Sequence, residues 1–484
     1  MIHYCWFVLL GFLLVQWPAT AARAENAGRS PKPNILFIIA DDHAAHAVSA
    51  YGSQINRTPN IDRLAHEGVL FGNCFAVNSL CAPSRASILT GTYGHVNGVS
   101  TNGGRLKAEL TTFPKLLQKA GYATALVGKW HLKAEPEGFD HWRVLPGQGA
   151  YFDPMMIVNG RQRKLSGYVS QVITDEAIHW LDERDARKPF CLLVHHKAPH
   201  ANWEPGPRYA ELFEETTIPT PDTFRDDFAT RGQGIRSHRL FVGPKLWELH
   251  YQRRFGPIPA AVSEEDAKTW VYQRFIKDYL RCVASVDDGV GRLLDYLDTT
   301  RLADNTVVIY TSDQGFFLGD HGLYDKRFMY EESIRMPLVA RWPGKIDAGT
   351  RVDRIVLNVD FAATLLDLAG LSPPEVMQGR SFLPLLLGEQ PTDWRRAMYY
   401  RFYEEAYGVG PHEGIRTEDH KLVHFLYGDK AWELYDLKND PNELHDRFAD
   451  PAYTEVASRL QAQLAALRDN LGAGPATNPA GQAD

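Results

Sequence analysis

The chain has 484 residues, of which 44% are hydrophobic and 23% are charged, and its formal net charge is −7. This length predicts more than one core, and the balanced composition excludes a largely disordered protein. A protein whose main partner is nucleic acid usually carries a basic surplus, which this sequence lacks. We therefore expect a globular protein with no nucleic-acid partner.

An apolar stretch at residues 5–17 lies near the start of the sequence and is too short to span a membrane comfortably. Ala22-Arg23-Ala24 follows it and fits the small-residue rule for signal cleavage. Residues 1–24 are therefore predicted to be a secretory signal peptide, and the mature chain to be secreted or periplasmic without a membrane span. The alternative is an uncleaved anchor, because only His3 precedes the apolar stretch as a basic residue.

Four apolar segments that end in polar residues are predicted to be strands of one sheet. They cover residues 34–40, 123–127, 190–194 and 306–310. Helical segments alternate with them, a pattern typical of an α/β fold with a mostly parallel sheet. Such sheets bind ligands beyond the carboxyl ends of their strands, so we expect the polar residues there to form one site.

A long amphipathic helix is predicted before the fourth strand, because apolar residues recur at helical spacing over residues 275–297. This spacing puts Cys282 on the packing face of the helix. Asp287 and Asp288 are expected on its solvated or capping surface, with no role as metal ligands.

The sequence divides into a larger domain at residues 33–372 and a smaller C-terminal subdomain at residues 373–471. In the first, residues 201–265 show weak periodicity and are expected to be an insertion that walls the site. In the second, a short antiparallel sheet and a helix are predicted, with strands at 397–403, 414–425 and 432–437 and the helix at 451–471. Residues 472–484 are rich in Gly, Pro and Ala and are predicted to be a flexible tail.

Four cysteines remain after signal cleavage, too few for a disulfide framework in an exported chain of this length. One of them, Cys81, precedes Pro83 and Arg85. Pro83 is predicted to begin a helix whose first amide groups point at Cys81, which lowers the thiol pKa or stabilises an anion beside it. The alternative is a buried cysteine before an ordinary helix.

The segment Cys81-Ala82-Pro83-Ser84-Arg85, followed by Leu89-Thr90-Gly91, resembles the signature of the type I sulfatase family. Further motifs continue this resemblance, in the family's order, across nearly the whole mature chain. The resemblance implies an alkaline-phosphatase-like fold and a sulfuric ester hydrolase. It also implies that a formylglycine-generating enzyme converts Cys81 to formylglycine, whose hydrate is the nucleophile.

The same resemblance assigns the metal ligands. They are Asp41, Asp42, the formylglycine at Cys81, Asp313 and Gln314. Oxygen ligands of this kind suit Ca²⁺ or Mg²⁺, and the family indicates one Ca²⁺. Gln314 departs from the family, which often has Asn at that position. The longer side chain still offers an amide oxygen but changes the geometry.

The resemblance also implies the catalytic residues. They are Cys81, Arg85, Lys129, His131, His200 and Lys326. In the implied mechanism a hydroxyl of the hydrate attacks sulfur, while Arg85, Lys129 and Lys326 bind the charged oxygens. His200, assisted by Lys326, protonates the leaving alcohol. His131 then deprotonates the second hydroxyl, and sulfate is released.

Each of these residues also has a structural interpretation when it is taken alone. Asp41 and Asp42 could cap a turn, Lys326 could be a surface lysine, and His196 is expected to be structural. The combination of the motifs, in the family's order and beside the Cys81 signature, favours the catalytic interpretation.

The expected substrate is a sulfated saccharide, because residues 198–205 and 324–333 resemble the glycan branch near N-acetylglucosamine-6-sulfatases. Glycosaminoglycan, mucin or other polysaccharide fragments would then be the source. Trp203 is predicted to stack on a sugar ring, or alternatively to pack in the insertion. His412 and Arg416 are predicted to contact an acidic sugar chain, or alternatively to form a loop-to-strand transition.

Three other functions stay open from the sequence. An arylsulfatase would act on small aryl or alkyl sulfates. A phosphonate monoester or phosphodiester hydrolase can share the fold and the nucleophile motif. A glycan-binding relative without activity is the third, although the complete set of polar residues argues against it.

Overall fold

A ten-stranded sheet forms the centre of the protein in the computed structural model, which describes Met1 and residues 32–236 and 238–474. In spatial order the strands are Thr350–Val352, Val69–Phe71, Leu338–Arg341, Thr306–Ser312, Asn34–Ala40, Phe190–His195, Ala123–Lys129, His141–Leu145, Met155–Val158 and Arg161–Lys164. The five strands from Thr306–Ser312 to His141–Leu145 run parallel. The four predicted strands are adjacent within this parallel block.

The register of these parallel strands brings their carboxyl ends together. Asn34–Ala40 lies at the centre, where Ala40 pairs with Ser312 and Ile39 pairs with His195. On the other side of His195, the next strand contributes Gly128 as its partner. All seven residues of Asn34–Ala40 are buried, as expected for a continuous apolar strand covered on both faces.

Helices cover both faces of the sheet. The α-helices of the described residues, not all of which pack on this sheet, span Pro59–His66, Cys81–Thr90, Gly94–Asn97, Phe113–Lys119, Val169–Glu183, Gln233–Arg236, Pro244–His250, Gln252–Phe255, Glu264–Thr299, Glu331–Ile334, Asp360–Leu368, Leu383–Leu386 and Thr454–Asn470. Because side chains alternate along a strand, Leu36 shares one apolar cluster with Val283, and Phe37 shares the opposite cluster with Phe361. This arrangement confirms the predicted α/β fold with helices on both faces.

The long helix Glu264–Thr299 has the predicted packing face, and Cys282 is fully buried on it. Asp287 has a capping role, but the helix that it caps is a neighbouring one. Its carboxylate accepts the N–H groups of Asn60 and Ile61, the latter at 2.9 Å, at the start of Pro59–His66. This contact fixes two helices of the same layer to each other.

The C-terminal part contains the predicted antiparallel sheet. Its four strands are Ala397–Phe402, His412–Thr417, His420–Phe425 and Trp432–Asp436, and Thr454–Asn470 packs against the sheet. The single strand predicted at 414–425 is wrong, because the chain reverses at residues 418 and 419. The Thr417 hydroxyl accepts the His420 N–H and donates to the His420 carbonyl at this turn, both at 3.0 Å.

Two smaller groups of strands complete the described part of the fold. Phe317–Leu318 pairs with Tyr324–Asp325, and Cys74–Phe75 lies between Arg335–Met336 and Val356–Leu357. The described chain from Pro33 onward forms one compact unit, so the boundary near residue 372 stays a prediction.

Two predicted terminal segments fall largely outside the described residues. These are the signal peptide at 1–24, apart from Met1, and the tail from residue 475 onward. Among the helices of the described residues, none is long and apolar enough to cross a membrane.

Candidate active site

Three buried carboxylates converge where the parallel strands end. Asp41 and Asp42 follow the central strand, and Asp313 follows its neighbour Thr306–Ser312. Each offers one oxygen within 4.8 Å of those of the other two, and all three are buried. The Asp42 N–H also donates to an Asp313 carboxylate oxygen at 3.1 Å. The convergence expected from the sequence is therefore present.

The backbone at Asp42 explains how two consecutive carboxylates reach one place. In a strand, consecutive side chains point to opposite faces. Asp42 leaves the strand with a positive φ of 64°, which turns its side chain. The Tyr279 hydroxyl, from the long helix, donates to the Asp42 carbonyl at 2.7 Å and holds this turn.

Cys81 lies beside the carboxylates at the first residue of the helix Cys81–Thr90. Its Sγ is 4.0 Å from an Asp42 oxygen and 3.7 Å from the Gln314 amide nitrogen. The helix begins at Cys81 and not at Pro83, which lies within the first turn, where proline is tolerated.

The expected lowering of the thiol pKa is wrong for this residue. Burial raises the pKa of the Cys81 thiol, Asp41 and Asp42 raise it further, and Lys129 and Lys326 only partly compensate. A helix N-terminus favours an anion by about 1 kcal/mol, which is less than the cost of burying a charge beside carboxylates. The unmodified thiol is therefore a poor nucleophile at neutral pH.

Three cations surround the carboxylates. Arg85 Nε donates to Asp313 at 2.9 Å, the Lys129 ammonium pairs with Asp41, and the Lys326 ammonium lies 2.6 Å from Asp42. Despite its burial, Asp41 has a pKa well below its usual value, because Lys129, His200 and Arg85 stabilise the carboxylate. Burial and the neighbouring Asp41 raise the pKa of Asp313 to about 7. The protein's own cations therefore do not fully compensate the three carboxylates.

Several polar atoms of this cluster are buried without a hydrogen-bond partner in the described part of the chain. They include Asp41 Oδ1, Gln314 Oε1 and Arg85 Nη2. Two of the three are oxygens that can bind a metal ion. Together with the carboxylates of Asp42 and Asp313 they form an all-oxygen ligand set, which fits a hard divalent cation such as Ca²⁺. The third is an unused guanidinium N–H, which suits an anionic oxygen.

Gln314 retains the position expected of a ligand although it replaces the usual Asn. Its amide nitrogen donates to Asp42, and this contact places the amide group beside the carboxylates and Cys81. The longer side chain therefore still reaches the cluster.

His200 lies at the same edge, with its Nε2 3.8 Å from an Asp42 oxygen. Its Nδ1 lies 2.8 Å from the Ala201 carbonyl, and because a carbonyl accepts, Nδ1 carries the proton. Burial and then Lys129 hold the pKa of His200 well below its usual value.

His131 follows the strand Ala123–Lys129 and is half-buried. Its Nε2 contacts the Gln148 amide nitrogen at 3.4 Å. Burial and Lys129 lower the pKa of His131 to about 3, so it is neutral at pH 7 and able to accept a proton. His196 is fully buried outside this group, in line with its expected structural role.

A pocket of about 250 Å³ opens above these residues. The insertion forms one wall, and the C-terminal part contributes Glu404 and Tyr407. Its lining residues include Asp42, Asn102, Gln148, His200, Trp203, His250, Asp325, Lys326, Arg327, Glu404 and Tyr407. The insertion therefore walls the site as predicted.

A larger cavity of about 680 Å³ lies near Arg105 and Trp130. It contains none of the predicted catalytic or metal-binding residues in its lining. The candidate site is therefore identified by the chemistry of its residues and not by the volume of its cavity.

The three predicted substrate-binding residues are buried among protein partners. Trp203 is 0% exposed and its ring packs 4.7 Å from that of Phe275. His412 is also 0% exposed, in an aromatic cluster 5.2 Å from Phe402, and Arg416 pairs with Glu331 at 3.1 Å. For His412 and Arg416 these contacts correct the expectation of sugar binding, because their side chains pack or pair within the protein. Trp203 packs as its alternative interpretation proposed but also lines the pocket, so its stacking on a sugar ring stays a prediction.

Two residues of the site were not found from the sequence. Asn102 Oδ1 accepts the Ala82 N–H at 3.1 Å and so caps the helix that carries Cys81, and its own N–H donates to Glu404 at 2.9 Å. Asn358 donates to the Ser84 hydroxyl at 2.8 Å, and Ser84 donates to the Asp313 carbonyl. Ser84 belongs to the Cys81 motif, whereas no local pattern marks Asn102 or Asn358.

Family models match most of the chain. A model described as "Sulfatase" matches residues 33–371, and one described as "N-sulphoglucosamine sulphohydrolase, C-terminal" matches residues 319–470. An N-acetylglucosamine-6-O-sulfatase of Bacteroides thetaiotaomicron is 44% identical over 477 residues, which cover 90% of this chain and 86% of that protein.

Solved structures show the same architecture. One, of a protein in complex with its substrate D-glucosamine-2-N,6-O-disulfate, superposes with a TM-score of 0.87 at 41% identity, covering 92% of this chain and 99% of that chain. A phosphonate monoester hydrolase of Agrobacterium radiobacter superposes with a TM-score of 0.74 at 27% identity, covering 91% of this chain and 96% of that chain.

Proposed function

We propose that this chain, which belongs to the sulfatase family and is a sulfuric ester hydrolase, removes 6-O-sulfate from a glucosamine unit of a sulfated saccharide. One observation carries the proposal: the 44% identity, over 90% of the chain, to an N-acetylglucosamine-6-O-sulfatase. The solved complex with a glucosamine disulfate supports the same sugar class.

The proposed metal is one Ca²⁺, held by Asp41, Asp42, Asp313, Gln314 and the modified side chain at position 81. Support comes from the convergent carboxylates and from the unbonded oxygens of Asp41 and Gln314. When bound, such an ion supplies positive charge that stabilises the sulfate oxygens and favours the ionised nucleophile. The remaining positive charge comes from the protein.

The proposed nucleophile is the hydrate of formylglycine formed from Cys81, which supplies one hydroxyl for attack and a second for release of sulfate. The raised pKa of the thiol supports a need for conversion, because an uncharged thiol attacks poorly. Cys81 is 0% exposed in the fold, so a formylglycine-generating enzyme would have to act before folding is complete. Such a partner belongs to an exported chain, and we propose a secreted or periplasmic location.

The proposed sulfate-binding groups are Arg85, Lys129 and Lys326. Arg85 is fixed by Asp313 and by the Lys129 carbonyl, both at 2.9 Å. Its Nη2 lies 3.7 Å from Asp41 Oδ1 and makes no hydrogen bond within the described residues, so it can donate to a sulfate oxygen. Because these cations are held in place before substrate binds, they stabilise the charge of the transition state with little reorganisation.

The proposed acid is His200 and the proposed base is His131. With the Nδ1 proton of His200 bonded to Ala201, only Nε2 can give a proton to the leaving oxygen. His200 therefore acts as the acid once Nε2 has taken up a second proton, for which the neighbouring Lys326 ammonium is the proposed donor. A sugar alkoxide is a poor leaving group and needs this proton, whereas a nitrophenolate does not. The half-buried, neutral His131 is the group able to accept a proton during sulfate release.

A substrate panel tests the proposal. We expect the mature protein to release sulfate from N-acetylglucosamine-6-sulfate faster than from other positions of the same sugar, and far faster than phosphate from the 6-phosphate. Tandem mass spectrometry should find formylglycine in the Cys81 peptide. Faster hydrolysis of phosphate or phosphonate monoesters would favour the alternative that the Agrobacterium radiobacter neighbour represents, and would overturn the proposal.

A further inference from the structure

Lys197 is a buried lysine to which the proposed reaction gives no role. It is 2% exposed and lies two residues after the end of the strand Phe190–His195. Its ammonium group donates to the Ala201 carbonyl at 3.1 Å and lies 4.5 Å from the centre of the Tyr151 ring. Burial and then Lys129 lower the pKa of Lys197 to about 8, so the group still carries its charge at pH 7. A buried charge with so few partners calls for an explanation, because an unpaired ammonium is costly to bury.

The contacts of Lys197 converge on the segment that carries His200. The Ala201 carbonyl accepts both the Lys197 ammonium and the Nδ1 proton of His200. The His200 N–H donates to the Lys197 carbonyl at 3.0 Å. Tyr151, whose ring lies next to the ammonium, donates its hydroxyl to the His200 carbonyl at 2.5 Å. The main chain on both sides of the imidazole is thus fixed by Lys197 and Tyr151, the amino side through the Lys197 carbonyl.

We propose that Lys197 is a positioning residue: it fixes the Ala201 carbonyl, while Tyr151 fixes the adjacent His200 carbonyl. The Nδ1 proton of His200 then stays bonded to Ala201, and Nε2 faces the leaving oxygen, to which it gives the second proton that it has taken up. The inference rests on the proposed role of His200 as the acid. A charge-assisted hydrogen bond is about twice as strong as a neutral one, so Lys197 is well suited to anchor a shared acceptor. The partner of one ring nitrogen sets which nitrogen is free to act.

A direct role of Lys197 on the substrate fits the structure less well. The pocket lining contains Lys326 and His200 but not Lys197. The ammonium is directed at the Ala201 carbonyl and the Tyr151 ring, behind the imidazole. Lys197 would therefore act on the reaction through His200.

Two substrates with different leaving groups test this inference. Lys197→Met should lower kcat on N-acetylglucosamine-6-sulfate about 10- to 100-fold, the usual loss when a supporting contact of a functional group is removed. The same preparation should hydrolyse nitrophenyl sulfate within about 3-fold of the wild-type rate, because that leaving group needs no proton. Tyr151→Phe keeps the ring and removes only the hydroxyl donor, so it should show the same split with a smaller loss. This variant also keeps the inference testable if Lys197→Met fails to fold.

A double variant separates positioning from general stability. In a His200→Ala background, Lys197→Met should cause no further loss on the sugar sulfate, since the imidazole that it positions is absent. Equal losses of Lys197→Met on both substrates, or a full additional loss in the His200→Ala background, would overturn the inference alone. If His200→Ala itself lowered kcat equally on both substrates, both the proposed role of His200 as the acid and this inference would be wrong.

Discussion

Two buried charge clusters occupy different parts of the molecule and differ in how their carboxylates are arranged. At the edge of the large sheet, Asp41 and Gln314 keep oxygens without a hydrogen-bond partner in the described residues. Near the C-terminal sheet, Lys421 lies 3.1 Å from Glu331 and 2.7 Å from Glu443. The carboxylates of both clusters face cations of the chain, and Glu443 Oε1 of the second also lacks a hydrogen-bond partner within the described residues. The first cluster differs because its three carboxylates converge within 4.8 Å and because Asp42 and Lys326 line a pocket.

The difference separates sites of chemistry from sites of structure. Removing one partner of a buried ion pair costs about 3–5 kcal/mol, so a cluster that pairs within the chain is bound to the fold. A cluster with unused atoms beside a pocket can instead bind an ion or a substrate. Arg416 belongs to the structural cluster, because it pairs with Glu331 within the chain. This pairing explains why the sequence around Arg416 alone wrongly suggested a contact with substrate.

The largest expected effect is that of Cys81→Ala on turnover. Loss of the nucleophile should reduce kcat at least about 10⁴-fold, as for other nucleophiles that act in a concerted group. The melting temperature should change little, because only one small side chain is lost. Cys74→Ala is the matched control, since Cys74 is also fully buried but lies in the small three-stranded sheet and not at the site. Substantial sulfate release by Cys81→Ala would contradict the assignment.

Asp313→Ala should have the next largest effect and should remove bound calcium together with activity. The change deletes a charged ligand from the three convergent carboxylates. We therefore expect kcat to fall by more than the roughly 10- to 100-fold that changes outside the ligand set cause. Elemental analysis of the purified protein measures the calcium. Asp288→Ala is the control, because Asp288 pairs with Arg208 away from the site. A normal calcium content in Asp313→Ala would show that the ion, if present, is held elsewhere.

The parallel sheet was predictable from the sequence because buried parallel strands are continuously apolar. The positions at which these strands end were not predictable from the sequence. The strands continue through Gly128, Lys129, His195 and Ser312, although most of these residues are polar. Backbone pairing with a neighbour extends a strand past its apolar part, and the sequence of one strand does not show the length of the next. The site was therefore predicted as a set of residues, while its geometry required the register.

The substrate-binding residues were less predictable for a related reason. The partner of Arg416 is Glu331, 85 positions earlier in the chain, and Trp203 packs against Phe275 of the long helix. No local spacing links these pairs. A motif identifies residue types that suit a ligand, but only long-range packing decides whether they remain accessible to it.

Lys421→Met should affect stability and leave the chemistry intact, in contrast to the two variants of the site. It leaves Glu443 buried with one cation fewer, at a cost of about 3–5 kcal/mol. Denaturant unfolding measures the loss, and kcat per folded molecule should remain at the wild-type value. The double variant Lys421→Met, Glu443→Gln should recover part of the stability, because the uncompensated charge is then absent. A fall in kcat without a fall in stability would assign this cluster to the active site.

Asp287 is an intermediate case and gives the smallest expected effect. Within the described residues its buried carboxylate accepts N–H donors of Asn60 and Ile61 and pairs with no cation. Burial raises the pKa of Asp287 to about 6, although the hydrogen bonds from Ile61 and Asn60 lower it. The folded state therefore holds this proton more tightly than the unfolded chain, whose carboxyl has a pKa of about 3.9.

The stability that this proton contributes is present at low pH and is lost as pH rises from about 4 to 6. Asp287→Asn removes the titrating group while it keeps an oxygen for one N–H donor. The free energy of unfolding of the variant, relative to the wild type, should therefore rise across that interval by at most about 3 kcal/mol. Asp288→Asn, a half-exposed neighbour on the same helix, should change stability by less than about 1 kcal/mol. A stability of Asp287→Asn, relative to the wild type, that stayed constant or fell with pH would contradict this expectation. It would mean that N–H donors alone compensate the charge of a buried carboxylate, without a cation.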